Sequence, residues 1–221
     1  MTLLTPRPAA ILFDCDGVLA DSETVVNTIV AEDLTERGWP VTAEQCKGIF
    51  LGRAIPDMVP VVEGRVGPLP EGWSDAISDV IARRMRQETP PMPGAAALVR
   101  ALSEAGMPIA CASNSGREEL VAKLEGLGIA RYFGSRVFSW QDVPRPKPAP
   151  DMYLAAAAAC DADPRNCVVV EDSLLGTRAG IAAGCRVMGF AHETPAGLLA
   201  IEGATPFHSM AELATLLGVK A

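Results

Sequence analysis

Short apolar runs alternate with longer segments that carry apolar residues at helical spacing along most of this chain. A run of four or five apolar residues fits a buried strand, whereas a spacing of three and four residues fits an amphipathic helix. The predicted strands are Ala10–Phe13, Ile109–Ala112, Val137–Ser139, Cys167–Val170 and Val187–Phe190. The helices predicted between and after them are Ala95–Ala105, Arg117–Leu127, Pro150–Cys160, Ser173–Ala183 and Met210–Leu217. This alternation predicts an α/β fold with a doubly wound, Rossmann-like parallel sheet.

The alternation is interrupted between about Ser22 and Pro93, where no strand-like run occurs. Four segments of this stretch have helical patterns instead, namely Thr24–Arg37, Thr42–Phe50, Ile55–Gly64 and Trp73–Thr89. The stretch ends in a proline-rich segment at 90–94, and such a stiff segment is typical of a domain boundary. We therefore expect residues 1–20 and 94–221 to form the α/β core domain, and residues 21–93 to form an inserted α-helical domain.

Composition narrows the class of protein. The chain has 221 residues and a formal net charge of −8, and no run of basic residues offers a site for a nucleic acid. No apolar run is long enough to span a bilayer, and the first eight residues are too short and too interrupted a stretch for a signal peptide, so we expect neither feature. The six cysteines are scattered without a C-x-x-C pair, so we expect reduced thiols and a cytoplasmic protein. No segment indicates a protein partner.

Two carboxylates, Asp14 and Asp16, follow directly after the first predicted strand. The carboxyl end of a strand in an open α/β sheet is where such folds bind ligands. Placing two acids there is costly unless a cation or hydrogen bonds compensate for their charge. The pair therefore predicts either a metal site or a dense set of hydrogen-bond donors.

Three further polar clusters stand at predicted strand ends or in the loops between elements. Ser113 and Asn114 precede a helix, Lys147 lies between prolines, and Glu171 and Asp172 end the fourth strand. Each has a plain structural explanation when taken alone, because such residues cap helices or lie in solvated loops. Together they converge on one crevice in a doubly wound sheet. Carboxylate oxygens suit Mg²⁺, which is usually shared with a phosphate, and the set supports covalent catalysis through an aspartyl-phosphate.

These motifs resemble those of the haloacid dehalogenase-like hydrolase superfamily, in its branch of β-phosphoglucomutases and phosphosugar phosphatases with a helical cap. The resemblance covers nearly the whole chain, from the Asp-x-Asp-Gly motif that begins at Asp14 to the Glu-Asp-Ser motif that begins at Glu171. It implies a phosphatase that acts on a small phosphorylated metabolite, with a sugar phosphate as the expected substrate.

The resemblance also implies a role for each motif residue. Asp14 is the nucleophile and Asp16 the general acid and base. The Mg²⁺ ligands are then the carboxylates of Asp14 and Asp172 and the backbone carbonyl of Asp16, with Glu171 in direct or water-mediated contact. The residues that hold the phosphoryl group are Ser113, Asn114 and Lys147.

Two other functions stay open. The resembling mutase has a histidine early in its cap and an arginine three residues after a cap glycine. Here the segment 23–27 contains no histidine, and Arg53 stands directly after Gly52. These differences favour net hydrolysis over phosphoryl transfer between sugar positions, and Arg53 is a candidate substrate-binding residue. A phosphate-binding regulatory protein without turnover is the third possibility, but it would be expected to lack Asp14, Asp16 or Lys147.

Overall fold

A computed structural model describes residues 3–50 and 55–220 of the chain, with residues 86 and 87 described by their backbone alone. The chain divides into two compact units. One unit comprises the chain up to Ala20 and from Pro91 onward, and the other is Asp21–Pro90. Within the first unit, the Met92 amide donates to the Leu19 carbonyl at 2.9 Å. The chain segments on either side of the second unit are therefore joined by a hydrogen bond within the first unit.

The second unit is helical throughout its described part. Its helices are α1 (Ser22–Glu36), α2 (Ala43–Phe50), α3 (Ile55–Val66) and α4 (Trp73–Glu88). They surround one apolar cluster in which Leu34 and Val62 are completely buried. Trp73 packs into the same cluster, and its indole Nε1 donates to Asp33 Oδ2 at 2.9 Å. The indole therefore gives this small unit both apolar area and a satisfied buried donor.

The first unit contains a parallel sheet of six strands. Its strands are β1 (Ala10–Phe13), β2 (Ile109–Ser113), β3 (Val137–Ser139), β4 (Cys167–Glu171), β5 (Arg186–Phe190) and β6 (Thr205–Phe207). The order β3-β2-β1-β4-β5-β6 confirms the predicted doubly wound sheet. The sixth strand was not predicted, because it has only three residues and Pro206 stands at its centre. Proline is tolerated there because β6 is an edge strand.

Helices cover both faces of this sheet. They are α5 (Ala95–Glu104), α6 (Arg117–Gly126), α7 (Ala130–Phe133), α8 (Asp151–Ala159), α9 (Leu174–Ala182), α10 (Ala196–Ile201) and α11 (Met210–Leu217). Side chains alternate along each strand, so Phe13 packs into the cluster with α5, α6, α7 and α11. Leu12 packs into the opposite cluster with α8, α9 and α10. All predicted helices are present within two residues of their expected bounds, but α7 and α10 were missed because four and six residues carry little periodicity.

The strand register brings three chain segments to one edge of the sheet. Phe13 pairs with Cys111 on β2 and with Val170 on β4. The next residue, Asp14, donates its backbone N–H to the Val170 carbonyl at 2.9 Å. The polar residues that follow β1, β2 and β4 therefore lie side by side at the carboxyl ends of these strands.

None of the described helices is long and apolar enough to cross a membrane.

Candidate active site

A buried lysine joins two of the predicted acidic residues. Lys147 Nζ donates to Asp14 Oδ1 at 2.7 Å and to Glu171 Oε1 at 2.6 Å. All three side chains are at least nine-tenths buried. Burial alone would lower the pKa of Lys147, but the two carboxylates outweigh it and raise that pKa above its usual value. Lys147 is therefore a fixed positive charge beside Asp14.

Asn114 holds the Lys147 loop through its side-chain amide. The Lys147 backbone N–H donates to Asn114 Oδ1 at 3.1 Å, and Asn114 Nδ2 donates to the Lys147 carbonyl at 3.3 Å. The paired bonds tie the end of β2 to the loop before α8. Asn114 was expected to hold a phosphoryl group, whereas here both polar atoms of its side chain face the Lys147 backbone.

Glu171 is fully buried, and five hydrogen bonds fix its carboxylate. Oε1 accepts from Lys147 Nζ and from the Tyr153 hydroxyl, the latter at 2.8 Å. Oε2 accepts from the Asp172 backbone N–H at 3.2 Å and from the N–H and hydroxyl of Ser173 at 3.1 and 2.9 Å. A β-carbon at residue 176 would lie 1.6 Å from Glu171 Oε1, so Gly176 is needed to make room for this carboxylate.

Asp14, Glu171 and Asp172 form a cluster of three carboxylates. One oxygen of each lies within 4.8 Å of the others. Burial first, and then repulsion from Glu171, raises the pKa of Asp14 to about 7 and raises that of Asp172 as well. Lys147 neutralises only part of this charge. A set of hard oxygen donors with excess negative charge fits a divalent cation such as Mg²⁺.

Asp16 lies against the connection between β2 and α6. Its Oδ2 accepts from the Ser115 hydroxyl at 2.8 Å and from the Ser113 hydroxyl at 3.3 Å. Its Oδ1 accepts from Lys123 Nζ at 2.6 Å. The predicted proton-transfer residue and the predicted phosphate-binding serine are thus direct neighbours.

The structure brings together Asp14, Asp16, Ser113, Asn114, Lys147, Glu171 and Asp172. Arg53 lies outside the described residues. Sequence reasoning missed Tyr153, Ser115 and Lys123. A clue to Lys123 was present, because it lies on the same helix face as Leu120 and Leu124, where an apolar residue would be expected.

The chain is similar in sequence and in fold to several known proteins. A model of the haloacid dehalogenase-like hydrolases matches residues 8–184. The 6-phosphogluconate phosphatase of Escherichia coli K12 is 30% identical over 186 residues, which is 83% of each chain. Hexitol phosphatase A of the same organism is 31% identical over 198 residues, which is 82% of each chain. A hydrolase structure from Deinococcus radiodurans with bound phosphate and sodium has a TM-score of 0.83, 32% identity and coverage of 96% of each chain.

The chain therefore belongs to the haloacid dehalogenase-like hydrolase family, which confirms the resemblance of its motifs. It is an enzyme of the phosphoric monoester hydrolase class, like the phosphatases that it matches.

Proposed function

We propose that this enzyme is a Mg²⁺-dependent phosphatase that hydrolyses a small sugar phosphate through an aspartyl-phosphate intermediate. The observation that carries the proposal is the cluster of Asp14, Glu171 and Asp172, of which Asp14 and Glu171 pair with the ammonium of Lys147. It combines a buried carboxylate nucleophile with donors for a metal and a fixed positive charge for phosphoryl oxygens. The sugar substrate is inferred from the relatives named as 6-phosphogluconate and hexitol phosphatases.

Asp14 and Asp172 would hold the Mg²⁺ by their carboxylates and Asp16 by its backbone carbonyl. Glu171 would contribute mainly charge, because protein donors already occupy both of its oxygens. When bound, Mg²⁺ supplies positive charge that offsets repulsion between the carboxylates and the phosphoester.

The chain's own residues would carry the chemical steps. Asp14 attacks phosphorus in line, the ester P–O bond breaks, and Asp16 gives its proton to the leaving alcohol. Lys147 and the Ser113 hydroxyl hold the phosphoryl oxygens. In the second step a water attacks the aspartyl-phosphate and gives its proton to Asp16. This step regenerates the Asp14 carboxylate and releases inorganic phosphate.

The direct test is phosphate release from 6-phosphogluconate and from a hexitol phosphate, with Mg²⁺ and with EDTA. We expect turnover only with Mg²⁺, loss of turnover in Asp14→Asn, and normal turnover in the surface control Asp163→Asn. Acid quenching during turnover should trap one phosphoryl group on Asp14, detectable by peptide mass. An Asp14→Asn enzyme with wild-type kcat would contradict the proposal.

The same assay distinguishes the two alternatives. An isomeric sugar phosphate as product would identify a β-phosphoglucomutase-like mutase, and phosphate binding without product would identify a regulatory protein. The absence of a histidine in segment 23–27 favours hydrolysis over the mutase reaction, and the presence of Asp14, Asp16 and Lys147 favours an enzyme over a regulatory protein.

The division into a core domain, residues 1–20 and 94–221, and a helical cap, residues 21–93, is part of the proposal. A substrate contact by Arg53 also stays a proposal. A cytoplasmic location is likewise a proposal, and it is supported by the six cysteines, all of which are free thiols.

A further inference from the structure

We infer that Lys123 is a positioning residue, which holds the carboxylate of Asp16 in place for proton transfer. The inference deepens the proposed function and rests on it in one respect, namely that Asp16 is the proton donor to the leaving alcohol. Lys123 lies on α6, outside the four motifs that define the site.

The contacts around Asp16 leave neither carboxylate oxygen unconstrained. Lys123 Nζ donates to Asp16 Oδ1 at 2.6 Å and also to the Ser115 hydroxyl at 3.1 Å. The Ser115 hydroxyl in turn donates to the other oxygen of Asp16 at 2.8 Å, and it also lies 3.3 Å from the acceptor Oε1 of Glu119. Lys123 therefore fixes the carboxylate twice, once directly and once through Ser115.

Stability of the fold alone would not favour a lysine at position 123 of α6. Its side chain is 1% exposed and lies on the helix face that also buries Leu120 and Leu124. A lysine buried in this way needs counter-charge, whereas an apolar residue would need none. Glu119 already supplies one carboxylate from the preceding helical turn, at 2.5 Å. The second carboxylate comes from Asp16, which is 107 residues away in the sequence, so helix pairing does not explain that contact.

The position of Asp16 explains what this contact could do. Ser113 donates to Asp16 Oδ2 at 3.3 Å and is the serine proposed to hold the phosphoryl group. With a phosphoryl group held by that serine, the protonated carboxyl group of Asp16 would lie next to the ester bond that breaks. A proton donor is effective only when it stays within hydrogen-bond reach of the leaving oxygen. With 31% of its side chain exposed, Asp16 could rotate into solvent if Lys123 were removed.

The test compares two leaving groups in Lys123→Met. An alkyl phosphate such as 6-phosphogluconate needs a proton on its leaving oxygen, whereas 4-nitrophenyl phosphate releases a stabilised phenolate that does not. We measure the first turnover in each case, because it reports transfer to Asp14 and not the later hydrolysis. General acid catalysis contributes roughly a hundredfold or more, so we expect release of the alcohol to slow by about tenfold to a hundredfold. Release of 4-nitrophenolate should change less than about threefold.

Three variants accompany this measurement. Glu119→Gln removes the other counter-charge of Lys123 but keeps a side-chain oxygen that can accept from the Ser115 hydroxyl, so both first-turnover rates should stay near wild type. Lys123→Arg should restore part of the alcohol release, because it keeps a buried cation at that position. Lys123→Gln is measured in parallel with the Met variant, so that a folding failure of one still leaves the other.

Equal slowing with both leaving groups, no slowing with either, or faster release of the alcohol would overturn the inference. In each of these cases the wild-type enzyme would still turn over through Asp14, so the proposed function would stand. A wild-type enzyme that releases neither product through Asp14 would overturn the proposed function, and the role of Lys123 with it.

Discussion

A β-carbon on residue 17 would lie 1.9 Å from Oδ2 of Asp172, so the Asp172 carboxylate packs directly against the backbone of Gly17. Gly17 also has a φ of +73°, in the region that favours glycine. Two independent constraints therefore favour glycine at position 17 of the Asp-x-Asp-Gly motif. One is its positive φ, and the other is the space that the proposed metal ligand Asp172 requires.

Gly17→Ala should therefore displace Asp172 and weaken Mg²⁺ binding as well as destabilise the fold. Gly38→Ala is the matched control, because Gly38 has a φ of +89° but nothing within 4 Å of the added carbon. Both variants should lose about 1 to 2 kcal/mol of stability from backbone strain. We expect only Gly17→Ala to need much more Mg²⁺ for half-maximal activity, as measured by metal titration. An equal Mg²⁺ requirement in both variants would show that Asp172 has room to adjust.

The raised pKa of Asp14 predicts a pH-dependent effect on the metal-free protein. Its folded-state pKa of about 7 lies above the ordinary value of 3.8, so the folded state binds the proton more tightly than the unfolded state. The contribution of Asp14 to stability should therefore fall as the pH rises from 3.8 to about 7. The side chain at this position in Asp14→Asn does not ionise, so it makes no such pH-dependent contribution.

Urea unfolding in EDTA checks this effect. The difference in unfolding free energy between Asp14→Asn and wild type should move in favour of the variant as the pH rises through that range. Added Mg²⁺ should reduce the difference, because the cation offsets the charge of Asp14. A difference that stays constant with pH would show that Lys147 fully compensates Asp14.

Asn114→Ala tests whether Asn114 acts through Lys147 or on the phosphate directly. Loss of the two hydrogen bonds to the Lys147 backbone should loosen that loop and lower kcat by about tenfold, a cost of about 1.4 kcal/mol. Asn114→Asp keeps the acceptor for the Lys147 N–H but places a carboxylate oxygen against the Lys147 carbonyl, so it should not recover this loss. A raised KM with unchanged kcat would instead support the direct phosphate contact that the family resemblance implies.

Trp73→Ala should strongly destabilise the helical unit. Trp73 is 4% exposed, and its indole donates to Asp33. Truncation of a buried tryptophan costs about 3 to 5 kcal/mol. Trp140→Ala is the control, since Trp140 is 47% exposed and its truncation should cost no more than about 0.5 kcal/mol. Urea unfolding followed by circular dichroism measures both, and similar losses would contradict the described packing.

The central fold was predictable because four of its strands contain apolar runs of at least four residues, three of which end in polar motifs. Strand β6 was not, since a three-residue edge strand with a proline has no distinguishing pattern. In the site, the acids of the first and last motifs could be located because burying them needs compensation. The role of Lys123 could not be predicted, because a lysine on an apolar helix face indicates that a counter-charge is needed but does not show that Asp16 supplies it. The hydrogen bonds between the Asn114 side chain and the Lys147 backbone depend on the path of a loop that is distant in the sequence, so the residues around Asn114 do not predict them.

The ion pairs of the site also bear on how the protein is made. Asp14 pairs with Lys147 across 133 residues, and Asp16 pairs with Lys123 across 107. During synthesis the two aspartates leave the ribosome long before their lysines exist. The strands that place these groups are also far apart in the sequence. The chain must therefore lose the conformational entropy of closing long loops before these contacts can form and stabilise the fold. Neither ion pair can therefore form before the segment that carries its lysine has left the ribosome.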